Sequence, residues 1–203
     1  MLHPRLRLTL MALSLLALVA ILAFVLVWSP KPAAAPVTGG GFAGSIRPAG
    51  PPRDFTLRDE EGRTVALSAL RGTPVVLSFM YTTCQDDCPT MTQQIRGALD
   101  GLGRDVPALA VSVDPANDTP RRAQRFLTRQ RMTGRMRFLL GDEATLQRVW
   151  RAYGVQPQER GLEHSASVLL LDRRGVARVS FPIGQLTPEG LEHDLRILLA
   201  ERG

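Results

Sequence analysis

Both cysteines of the chain fall in the run Cys84-Gln85-Asp86-Asp87-Cys88-Pro89, with three residues between them. Thiols at this spacing support coordination of a soft metal ion or exchange of electrons through a disulfide. A structural disulfide is the third use. It would close a very short loop, worth roughly 2 kcal/mol against ~3 for a 15-residue loop, a weak reason to spend both cysteines where an apolar strand ends. Functional use is the better reading.

If Cys88 is the N-cap before Pro89, the free amides and positive end of the helix face its sulfur and favour thiolate. Asp86 and Asp87 oppose this, because neighbouring carboxylates disfavour another negative charge. A bound cation reverses that effect. His164 supplies a third donor, and two thiolates with one neutral imidazole suit Cu(I), while Asp86 and Asp87 lie close enough in sequence to assist Cu(II). His193, on the polar side of the last expected helix, and His3 read as bystanders. Met80, Met132 and Met136 read as core, and Met91 alone is near enough in sequence to shield the site.

These side chains must be carried by a domain that alternates strands and helices. Asp54 to Leu57 and Thr64 to Leu67 form an opening hairpin across Asp59 to Gly62. Pro74 to Tyr81 is a nearly continuous apolar run, as in a strand covered on both faces. Pro89 opens a helix that ends near Gly101 to Gly103. The strand Ala108 to Val113, a helix capped by Thr119-Pro120 and the strand Met136 to Leu140 follow. A helix capped by Asp142 then runs to about Tyr153. After an irregular stretch from Gly154 to Glu163, a hairpin of Ser167 to Leu171 with Ala177 to Phe181 precedes a helix opened by Thr187-Pro188. This order gives an α/β domain, a mixed sheet with helices on both faces, and a dithiol after the first buried strand makes it thioredoxin-like.

The 203 residues divide into four parts. Residues 8–28, Leu8 to Trp28, carry no charge and have about the ~20 residues a helix needs to cross a bilayer. Arg5 and Arg7 precede them, so residues 1–7 are a cytoplasmic tail and the rest is exported. A cleaved signal peptide would use a shorter apolar run, so the segment reads as an uncleaved anchor of a bacterial inner-membrane protein, single-pass, with its C-terminal domain in the periplasm. Residues 29–52, rich in Pro, Ala and Gly, form a tether, and 53–203 form the thioredoxin-like domain. The net charge of +6 comes almost wholly from arginine. No basic run is interleaved with aromatics, which excludes a nucleic-acid partner. Arg121, Arg122, Arg125, Arg129 and Arg131 share one expected helix and read as a solvated face rather than a patch for acidic lipid or an acidic partner.

Several segments resemble, in order and spacing, the Sco/SenC proteins: Tyr81-Thr82-Thr83-Cys84, Cys88-Pro89-Thr90, Val111 to Pro115 with Asp118-Thr119-Pro120, Ala152 to Val155, His164-Ser165 and Phe181-Pro182. The resemblance runs from about Pro52 to the end. It implies a copper metallochaperone that binds Cu(I) and Cu(II) through Cys84, Cys88 and His164 and assists assembly of the CuA centre of cytochrome c oxidase. The implied partners are the oxidase subunit carrying CuA, a second periplasmic copper chaperone, and the membrane through the N-terminal helix. Asp86 matches an acidic residue of the family's loop. Gln85 stands where many members have proline, and Glu163 where aspartate often precedes the histidine, which alters how the imidazole is oriented. The alternatives are a periplasmic thiol-disulfide oxidoreductase, with Cys84 attacking and Cys88 resolving, and a peroxiredoxin-like peroxidase.

Overall fold

The computed structural model describes residues 11, 13–21, 24, 41–48, 50–155 and 167–201. The chain divides into two compact units, 1–35 and 36–203. In the first, residues 11, 13–21 and 24 are helical, with Leu13, Leu15, Leu16, Leu18 and Ile21 exposed. Among the described residues no helix is long and apolar enough to cross a membrane.

Among the described residues the second unit holds eight strands: β1 (Ser45–Ile46), β2 (Thr56–Arg58), β3 (Thr64–Ala66), β4 (Val75–Met80), β5 (Ala108–Ser112), β6 (Met136–Leu139), β7 (Ser167–Leu171) and β8 (Ala177–Pro182). Its α-helices are α1 (Asp87–Leu102), α2 (Pro120–Arg129), α3 (Glu143–Tyr153) and α4 (Pro188–Ala200). β2 and β3 pair as a hairpin, and the other strands form one mixed sheet in the order β1-β8-β7-β4-β5-β6. β4 runs parallel to β5 and antiparallel to β7.

The apolar run of β4 is explained by burial of all its residues. Val76 and Met80 pack among Ile95 of α1, Phe126 of α2 and Leu195 of α4. Val75, Leu77 and Phe79 face the opposite layer, with Leu146 and Trp150 of α3 and Leu57 and Val65 of the hairpin. Helices therefore cover both faces, as the alternation of elements predicts. Three helix starts follow directly from sequence: Thr119, Asp142 and Thr187 accept the N–H groups of Arg122, Thr145 and Gly190. At the far end of α3, Gly154 takes φ 71°, a left-handed cap that suits glycine.

The expected tether over 29–52 does not survive for residues 41–48. β1 pairs antiparallel with β8, Ser45 opposite Ser180 and Ile46 opposite Val179. The fully buried Asp194 of α4 holds this segment, its carboxylate accepting from the Ala43 N–H at 2.7 Å and the Gly44 N–H at 2.9 Å. His193 Nδ1 lies 2.9 Å from the same carboxylate. A Cβ on Gly44 would come within 2.5 Å of Val179 Cγ1, so the small residues that suggest a tether are what admit the backbone here. Asp194→Ala leaves both amides without their acceptor and is expected to cost about 2–3 kcal/mol. Amide exchange should then become fast at Ala43 and Gly44; protection retained there would show that the carboxylate is not the anchor.

Candidate metal and thiol site

Cys84 lies in the loop that follows β4, and its N–H donates to the Tyr81 carbonyl at 3.3 Å. The helix begins earlier than Pro89 predicts: Asp86 is the N-cap, and α1 starts at Asp87. Pro89 falls at the third helical position, where its missing N–H would have had no partner within the helix. Cys88 is consequently inside the first turn and fully buried, whereas Cys84 sits half-buried in front of it.

This moves the expected helix-end stabilisation from Cys88 to Cys84. The Cys88 N–H donates to Cys84 Sγ at 3.2 Å, so the open end of the helix serves Cys84. The Cys84 thiol is lowered to about 5, chiefly by the hydrogen bond from the Cys88 thiol. Burial opposes the shift, while the Cys88 and Asp86 amides and the Tyr81 side chain add to it. Cys88 is pushed far above the ordinary thiol range, first by its interaction with Cys84 and then by burial, and Asp87 adds to the shift through its charge. The Asp86 and Asp87 side chains are both exposed.

At neutral pH, then, Cys84 is a thiolate and Cys88 a thiol. Iodoacetamide should alkylate Cys84 in the copper-free chain with a rate that rises through a midpoint near 5 and is flat at pH 7 and above. A midpoint at the ordinary thiol value, about 8.5, would contradict this assignment.

A buried carboxylate holds the loop in place. Asp118, in the turn between β5 and α2, accepts from the Thr82 N–H at 2.7 Å, the Thr82 hydroxyl at 2.6 Å and the Ser112 hydroxyl at 2.6 Å. Burial raises its pKa, and these hydrogen bonds oppose the rise. The Trp150 indole N–H donates to the Ser112 carbonyl at 2.9 Å and ties α3 into the same cluster. Sequence reasoning missed this role of Asp118. Its signal was an acid immediately before the helix cap Thr119, which reads as capping chemistry although the partners lie up to 36 positions away. Asp118→Ala strands three donors and should lower stability by about 3 kcal/mol in a urea melt, with Asp118→Asn losing less. Equal stability in the alanine variant would remove Asp118 from this account.

Below the thiols, Met80, Met91 and Cys88 are fully buried in one cluster. Thr92 donates its hydroxyl to the Cys88 carbonyl at 2.7 Å and lies 3.5 Å from Met80 Sδ. Met91 is buried in the same cluster as Cys88, and Met80, Met132 and Met136 are core, as expected.

His164 and Glu163 lie outside the described residues. Among the described residues no group of three or more His, Cys, Asp or Glu is gathered to hold a metal ion. Position along the sheet is nevertheless informative. β7 is antiparallel to β4 with Val168 opposite Ser78, so β7 begins at the end of the sheet where β4 stops and the thiol loop starts.

A family model described as SCO1/SenC matches residues 47–200. The chain belongs to the SCO1/SenC family. Among its SCO1/SenC relatives, the SCO1 protein homolog of Bacillus subtilis is 33% identical over 75 residues, 36% of this chain and 39% of that protein. The copper-bound structure of ScoI from Bradyrhizobium japonicum is 32% identical with a TM-score of 0.62, covering 73% of this chain and 99% of that one. Peroxiredoxin Q of Triticum aestivum is 29% identical over 167 residues, 82% of this SCO1/SenC chain and 72% of that protein.

Proposed function

We propose that the chain is a membrane-anchored copper chaperone that binds Cu(I) and Cu(II) through Cys84, Cys88 and His164. The observation that carries this reading is the pair of free thiols, with the Cys88 N–H donating to Cys84 Sγ, at the end of the sheet where β4 stops and β7 begins. His164 lies three residues before Ser167, so at most about 11 Å of extended chain separates its backbone from the first residue of β7. Two sulfurs and an imidazole match the softness of copper, and the Bradyrhizobium relative is described with copper bound. Loading at neutral pH displaces the proton of Cys88, since Cys84 has already lost its own.

Copper is cargo in this reading. It passes by ligand exchange to the thiolates of a cytochrome c oxidase subunit carrying CuA, and a second periplasmic copper chaperone supplies it. In the companion role the chain keeps the acceptor reduced: Cys84 attacks the acceptor's disulfide, Cys88 resolves the mixed disulfide, and the two electrons gained by the acceptor leave a Cys84–Cys88 disulfide. The anchor reading is supported by the uncharged run from Leu8 to Trp28, and Arg5 and Arg7 before it favour a domain on the periplasmic side of a bacterial inner membrane.

One observation favours the rival, a thiol-disulfide oxidoreductase: a partly exposed, low-pKa Cys84 in front of a buried Cys88 is the arrangement such catalysis needs. The likeness to peroxiredoxin Q points the same way. Titration of the reduced chain with Cu(I) and Cu(II) against a chelator, beside insulin reduction and peroxide consumption, separates them. The chaperone reading expects one tightly held copper per chain and no turnover in either assay. Catalytic turnover without copper retention would support the rival.

A further inference from the structure

A cleft of about 480 Å³ opens beside Cys84, floored by Pro89 and Phe126 and walled by Arg122, Arg125 and Arg129. These arginines recur at the i, i+3 and i+7 positions of α2 and so form one stripe facing the thiol loop. All are exposed, and among the described residues none is ion-paired. Arg122 does donate to the Asn117 carbonyl at 2.9 Å, which fixes its direction without neutralising it.

The charge pattern of the helix works against its own stability. It has no acid in its first turn, Arg121 and Arg122 stand at its positive end, and Arg125 stacks like charge against both Arg121 and Arg129. Thr119 caps the helix and Arg129 suits its last turn, so the departure is confined to the like-charge row, and a broken local rule of that kind is expected at functional surfaces. The sequence alone reads this stripe as a solvated face; its place on the wall of the thiol cleft changes that reading.

We propose that the α2 arginine stripe is the docking surface for an acidic polypeptide segment of the protein whose thiols exchange copper or electrons with Cys84. The inference rests on the function proposed above and adds the partner's chemistry. Carboxylates on the partner meet Arg122, Arg125 and Arg129, and the cleft then leads its cysteines to the half-buried sulfur. Such pairing steers encounter and fixes register, and it weakens with salt.

The test uses the full chain, reduced and copper-free, in phosphatidylcholine nanodiscs. The probes are a reduced peptide with two cysteines flanked by four glutamates, and its glutamine twin. The glutamate peptide should bind at least about 10-fold more tightly at low salt, with the preference fading as salt screens the charges. Arg122→Gln/Arg125→Gln/Arg129→Gln should erase that preference. Arg104→Gln/Arg137→Gln/Arg148→Gln, an equal loss of charge at exposed positions elsewhere, should retain it. Charge reversal at the three stripe positions should shift preference to a lysine-flanked peptide.

Equal affinity for the two peptides, or equal loss in the remote control, would overturn the inference. So would discs containing phosphatidylglycerol that abolish peptide binding in the parent, since the stripe would then serve lipid. Copper retention measured on the same samples should be unchanged by the stripe substitutions. Its absence from the parent would strike the chaperone reading and leave the peptide result standing.

Discussion

Cys84→Ser and Cys88→Ser are each expected to lower the affinity of the chain for Cu(I) by at least about 10³-fold, because a serine hydroxyl remains protonated at neutral pH and is a hard donor. The two variants should fail differently. Cys84→Ser removes the sulfur that is already a thiolate, leaving a buried thiol whose proton is hard to lose. Cys88→Ser removes the other ligand but keeps a hydroxyl able to donate to Cys84, whereas Cys88→Ala removes the main support of the Cys84 thiolate as well, so in the alanine variant Cys84 should titrate higher and alkylate more slowly at pH 6 than in the parent. Equal copper affinity in either variant, measured by chelator competition, would exclude a two-sulfur site.

The second large effect is expected at His164. His164→Ala should weaken Cu(II) binding by more than the about 10- to 100-fold that follows loss of an outer hydrogen-bond partner, since a direct donor is lost. Cu(I), which tolerates two thiolates alone, should be weakened less. The difference between oxidation states is the diagnostic quantity, because a general loss of folding would lower both together. Competition titrations of both ions in the same preparation check it. Identical losses for the two ions, with a lowered melting temperature, would point to structural damage in place of a lost ligand.

How far the sequence carried depends on the type of signal. β4 and β5 were legible because strands covered on both faces must be apolar along their whole length, and α2, α3 and α4 were legible because Thr119, Asp142 and Thr187 announce their first turns. The start of α1 was misread by two residues because Pro89 suits a first helical position and also tolerates the third. That small shift moved the helix-end stabilisation from Cys88 to Cys84. β1 was illegible: Ser45 and Ile46 carry no periodicity, they pair with a strand far along the chain, and the Ala43 and Gly44 amides just before them are held by a carboxylate about 150 positions away in sequence. Asp118 and the arginine stripe were hidden for the same reason, since a buried acid and a charged helix face acquire meaning only from what tertiary folding sets beside them.

The most direct test of the central claim is X-ray absorption at the copper edge on the full chain loaded with one copper, compared with His164→Ala. The account predicts two sulfur scatterers and one imidazole nitrogen around the metal in the parent, and loss of the imidazole signal in the variant with both sulfurs retained. A parent spectrum with fewer than two sulfurs, or an imidazole signal unchanged in the variant, would contradict it.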